Sequence, residues 1–156
     1  MTTVEAHGAR TGRSLPIAIT AGTVALALML IGTYVHTPYK ATGPGEWGLS
    51  TQDLNQVPLL VGFVVVGVAV VFGGVVARGL RTAPQRTARR SLIVAGVGLV
   101  SIAVFWTGLP VILAAGAATL ALDARHRLGR LPGTAIAALV LAALITVSAI
   151  WLAFTG

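Results

Sequence analysis

The chain has 156 residues, 56% of them apolar and 10% charged, with a mean hydropathy of +0.90 and a formal net charge of +7. A soluble domain is roughly a quarter charged, and here the charges are bunched between long uncharged runs, so composition excludes an ordinary soluble fold and points to membrane spans. The absence of cysteine excludes disulfides, thiolate metal sites and cysteine nucleophiles.

Residues 1–14 are polar, carry Glu5, His7, Arg10 and Arg13, and are expected to form a flexible cytoplasmic tail. The first expected span covers residues 15–35, about 21 residues, enough to cross roughly 30 Å of hydrocarbon at 1.5 Å per residue. A basic start and an apolar core also describe a signal peptide. This run exceeds a typical signal-peptide core, however, and no A-x-A-like site follows in TYVHTPYKATG, so an uncleaved anchor is expected.

Residues 36–56 form the longest polar loop, expected outside. Tyr34, Tyr39 and Trp47 suit the headgroup zone, and Pro38, Gly43, Pro44, Gly45 and Gly48 are turn formers. Ser50 with Asp53 three residues later has the form of a capping box, so a short helical turn is expected before the second span. Within this loop TPYKATGPG resembles the segment after the membrane anchor of some bacterial PDZ-containing secreted proteases. Nothing of such a protease follows, and nothing is carried over. Residues 57–77 form the second expected span, with Pro58 in its first turn. Ala69, Gly73 and Ala77 make a stripe of small residues on it, suited to close helix packing.

The basic loop 78–90 carries Arg78, Arg81, Arg86, Arg89 and Arg90 without an acid. Beyond it, residues 91–122 are uncharged, too long for one ordinary span and short for two. FWTGLP, Phe105 to Pro110, reads as a turn in their middle. Two spans, at about 89–106 and 109–127, become long enough if arginines at their ends snorkel. A second basic loop, 123–132, precedes the last span at 133–154. In that span Ala138 and Ala142, with Thr134 and Thr146, recur every fourth residue, as Ala114 and Ala118 do earlier.

Charge placement chooses between topologies. One of the eleven cations is Lys40, and the other ten are arginines in three clusters flanking apolar segments. Five spans with the N-terminus in the cytoplasm place all ten arginines inside and Lys40 outside, together with Glu46 and Asp53. Four spans with one helix over 91–122 move Arg125, Arg127 and Arg130 outside and leave seven cations against four. Short basic loops stay inside, so the expected fold is an all-α polytopic bundle of five spans in a bacterial plasma membrane. A shallow re-entrant hairpin at 91–122 gives the same sidedness. The same clustering favours topology and anionic lipid headgroups over nucleic acid as the reason for the positive charge.

No span interior carries an ionisable residue, which argues against a carboxylate-driven proton- or sodium-coupled transporter. HExxH, GxxxxGK[ST] and GxSxG are missing. His36, Glu46 and Asp53 in the outer loop are the best candidates for a metal ion or a proton, at a spacing that matches no ligand pattern. Glu46 is also placed to pair with Lys40, and Asp123 stands in the favourable i,i+4 order before Arg127. His126 among arginines is read as a solvated interfacial histidine. No cofactor and no catalytic residue is expected, and the five arginines of 78–90 are candidates for lipid or partner contact.

The apolar hairpin with a central aromatic–proline turn, followed by a basic stretch and a final span, covers about residues 90–154. This pattern resembles small multi-span membrane proteins of unknown function from high-GC Gram-positive bacteria. The resemblance implies membrane residence. The functional expectation is a non-catalytic accessory or assembly subunit of a larger membrane complex. The alternative is a self-assembling passive channel or small-solute carrier, and a membrane enzyme ranks third.

Overall fold

A computed structural model of the protein describes residues 3–40, 45–50 and 54–155, with side chains from Leu15 onward apart from Phe105. Helix α1 runs Thr3–Tyr34. A two-residue ribbon follows, β1 (Val35–His36) antiparallel to β2 (Gly48–Leu49), with Val35 opposite Leu49. A 3₁₀ turn at Leu54–Gln56 leads into α2, residues 57–80. Its first part, Val57–Val68, is α-helical, Ala69–Val76 is π-helical, and Ala77–Leu80 returns to α. Helix α3 is Pro84–Val100, continued as 3₁₀ over Ser101–Thr107. Helices α4 (Leu109–Leu128) and α5 (Gly133–Thr155) complete the bundle.

Four helical stretches are long and apolar enough to cross a membrane: Leu15–Tyr34, Leu54–Leu80, Pro84–Val104 and Gly133–Thr155. Helix α4 is not among them. Its apolar part ends at Leu122, because Asp123, Arg125 and Arg127 occupy its last turns. Residues 109–122 amount to roughly 21 Å of helix, short of the ~30 Å of hydrocarbon.

Within the segment expected as a cytoplasmic tail the backbone is helical from Thr3: Glu5, Ala6, Ala9, Arg10 and Arg13 are good helix formers, and a packed span supplies the nucleus from which they extend. The single 32-residue helix that a four-span chain requires over 91–122 is absent. Val104 leaves helical geometry at φ −120°, ψ 41°, and Gly108 takes the left-handed φ of 70°. Pro110, lacking an N–H, then starts α4 in its first turn. The Thr107 hydroxyl donates to Val104 O at 2.7 Å and accepts from Leu109 N at 3.4 Å, holding the corner.

Helix α4 is the centre of the bundle. Ile112, Ala117, Leu120, Ala121 and Ala124 are fully buried there, and Ala25, Ala95, Ala135 and Ala138 meet them from α1, α3 and α5. This core is built mostly of alanine, so the helices approach closely. A Cβ on Gly116 would lie 2.9 Å from Val71, and one on Gly79 would lie 2.5 Å from Leu120. The large apolar side chains point outward instead: Leu59, Val65, Val66, Ile93, Val100, Leu144 and Val147 are exposed. This inside-out distribution is what a lipid solvent permits, since burying a leucine against protein gains little over burying it in acyl chains.

The corner between α3 and α4 lies below one end of the bundle. Gly108 sits against Ala25 of α1, and Leu109 against Gly67 of α2. From Ala25 to Tyr34 there are nine residues, so α4 begins roughly 13 Å short of that end of α1.

Candidate functional site

The polar chemistry of the chain is concentrated at the two ends of the bundle. At the ribbon end, Thr37 is fully buried and its hydroxyl donates to Phe154 O at the end of α5. Ser50 N donates to Tyr34 O at 2.8 Å. Lys40 Nζ donates to Gly32 O at 2.7 Å, in the last turn of α1, and to Val35 O at 2.8 Å, just beyond its end. Lys40 is therefore not the partner of Glu46; the helix end, carrying partial negative charge, competes for the ammonium at closer range. Burial lowers the Lys40 pKa from its ordinary 10.5.

His36 is half-buried on β1 and Glu46 is exposed. Asp53, and with it the capping box with Ser50, lies outside the described residues; the helical turn expected there is the 3₁₀ turn Leu54–Gln56. Among the described residues no three His, Asp or Glu side chains come together in a way that could hold a metal ion.

At the basic end, Arg78, Arg81, Arg86, Arg89 and Arg90 are all exposed around the tight turn between α2 and α3. The turn itself is fastened from beneath. Thr82 and Thr87 both donate to Gly79 O, at 2.7 and 3.0 Å, and Arg90 Nη1 donates to Arg78 O at 3.3 Å. Arg127 of α4 reaches across to donate to Thr82 O at 2.7 Å and Leu80 O at 3.3 Å, while pairing with Asp123 at 3.5 Å. The Asp123–Arg127 spacing is visible in the sequence, but the cross-link from Arg127 to the arginine loop is not. Asp123 one turn earlier marks Arg127 locally, but only the packing of α4 beneath the turn brings it to Leu80 and Thr82.

The stripes of small residues fare differently. Ala138 and Ala142 are buried inside the bundle, in line with Ala135, Ile145 and Ala149. Ala69 and Gly73 are exposed and Ala77 is half-buried; a Cβ on Gly73 would meet nothing within 4 Å. Helix α2 packs on its other side, through Val64, Val71, Phe72 and Val76. Two apolar grooves flank α1. The larger, about 740 Å³, lies between α1, α4 and α5, and the smaller, about 430 Å³, lies between α1 and α2. Every buried side-chain polar atom among the described residues has a hydrogen-bond partner.

Compared with protein families, with curated proteins and with solved structures, the chain matches none.

Proposed function

We propose that the protein is a non-catalytic integral membrane subunit that assembles with other membrane proteins, in a bacterial plasma membrane with its arginine loops in the cytoplasm. The observation that carries this reading is the outward face of α2. Its Ala69–Gly73–Ala77 stripe has the composition of a close-packed membrane interface, yet Ala69 and Gly73 are exposed and a Cβ on Gly73 would meet nothing among the described residues. The five exposed arginines of the adjoining turn offer an acidic partner, or anionic headgroups, a rigid cationic platform.

In this reading α1, α2 and α5 cross the bilayer, and α3 and α4 form a hairpin that enters from the cytoplasmic side. Tyr34 then marks the outer boundary, and the Asp123–Arg127 pair lies roughly 35 to 40 Å below it along the helices, in the opposite headgroup zone.

Extraction of the tagged protein in mild detergent, followed by sizing and mass spectrometry, tests the assembly reading. Reproducible larger membrane companions are the expected result. A clean monomer, or a homo-oligomer alone, would remove it.

A further inference from the structure

The central helix α4 comes to the surface in one place. Its exposed residues are Leu122, Arg125 and His126, all in its last two turns. Directly along the helix from them lies the larger groove, whose floor includes Ala114 and Ala118 of α4, Ala21 of α1 and Ala142 of α5. Ala118 and Arg125 are seven residues apart, two turns on the same helical face, with Leu122 between them. The guanidinium-bearing residue thus stands roughly 10 Å from the groove along the axis, toward the basic end.

The chemistry of the groove restricts its occupant. The two hydroxyls that line it are already satisfied within their own helices, Thr20 by Pro16 O at 2.9 Å and Thr146 by Ala142 O at 2.8 Å. The groove therefore offers a ligand only apolar contact. Along α1 it extends from Pro16 to Val24, eight residues or roughly 12 Å, whereas a crossing helix from another protein presents ~30 Å of side chains. The slot is too short to seat such a helix and long enough for much of an acyl chain. Arg125, unlike Arg127 two positions on, makes no hydrogen bond or ion pair with any described residue, and Arg130 is exposed close by. An apolar slot leading to an arginine with no partner among the described residues is complementary to an apolar chain ending in an anion.

We propose that this groove and Arg125 together hold one anionic phospholipid, an acyl chain lying over Ala114, Ala118 and Ala142 and the phosphate at the guanidinium. The site is separate from the arginine loop and independent of whether the protein has protein partners.

The test places the full chain in bilayer discs of equal parts phosphatidylcholine and phosphatidylglycerol and counts the lipid it retains on release, by native mass spectrometry. The expected result is one retained lipid per chain, with phosphatidylglycerol favoured about fivefold, the preference one arginine confers near an anionic surface. R125Q is expected to retain one lipid with that preference abolished. A143L, which extends a side chain into the groove from α5, is expected to retain none. R125Q alters an exposed side chain without a described partner, so the test stays decisive where A143L perturbs the fold. Three results would each overturn the proposal: no retained lipid on the native chain, equal retention of the two lipids by the native chain, or undiminished phosphatidylglycerol preference in R125Q. A second copy of the chain, retained in place of lipid and lost in A143L, would overturn it too.

Discussion

Helices α2 and α4 make an instructive pair. The stretch containing α2 is the most apolar of the membrane-length helices, and α4 is the one described helix whose apolar part is too short to cross a membrane. A soluble protein would place α2 in its core. Here the order is reversed: ten of the twenty residues of α4 are buried, against five across the three segments of α2. Hydropathy in this chain follows the outward faces of the membrane-length helices, and the core is recognised by small side chains. Alanine and glycine let α4 lie close to its neighbours, while Val61, Phe63, Val65, Val66 and Val70 of α2 face outward.

The largest effect should come from adding bulk where the two helices meet. Gly116→Leu and Gly79→Leu force a side chain into Val71 or Leu120, which line the narrowest contacts in the bundle. Each is expected to cost about 3 kcal/mol, read as a lowered unfolding midpoint in detergent. Retention of the native midpoint by both variants would break the description of α4 as a close-packed core.

Arg127→Gln comes next. It removes the donor that ties α4 to the carbonyls of Leu80 and Thr82, and an expected loss of about 1.5 kcal/mol is measurable in the same assay. Arg125→Gln, at an exposed position two residues away, should leave the midpoint within about 0.5 kcal/mol of native. The contrast between these two arginines separates fastening from surface charge.

Gly73→Leu repeats the glycine-to-leucine change on the uncovered face of α2. The midpoint should move by less than about 1 kcal/mol, the scale of a helix-propensity change. Companions co-purifying with the native chain should be lost, however. Retained companions would place the protein contact elsewhere.

The smallest effect concerns the ribbon end. Burial lowers the Lys40 pKa below 10.5, so the folded chain releases this proton at a lower pH than the unfolded chain does. Between those two values the unfolded state binds more protons, and stability rises with pH. A shallow upward slope in the unfolding midpoint approaching pH 10.5 is expected, and Lys40→Met should flatten it.

Much of this arrangement was legible from residues alone. The aromatic–glycine–proline turn broke the long apolar stretch near the expected place, because Gly108 and Pro110 act through their own backbone geometry. The Asp123–Arg127 pair was equally visible, being one turn of one helix. The partners of Lys40 are not legible there: they are main-chain carbonyls at and just past the end of α1, and carbonyls carry no sequence signature. The two stripes of small residues looked alike as strings, yet Ala138 and Ala142 are buried and Gly73 is bare.

By itself, then, the sequence determined the helices, their breaks and the clustering of charge, since each depends on hydropathy, glycine, proline and arginine acting over a few neighbouring residues. Tertiary structure alone decided which helix stands at the centre, how far the α3–α4 corner falls short of the ribbon end, and which of two adjacent arginines is tied down. Those outcomes depend on close approach between segments distant in the chain, where a missing side chain on one helix matters only through the atom that faces it on another.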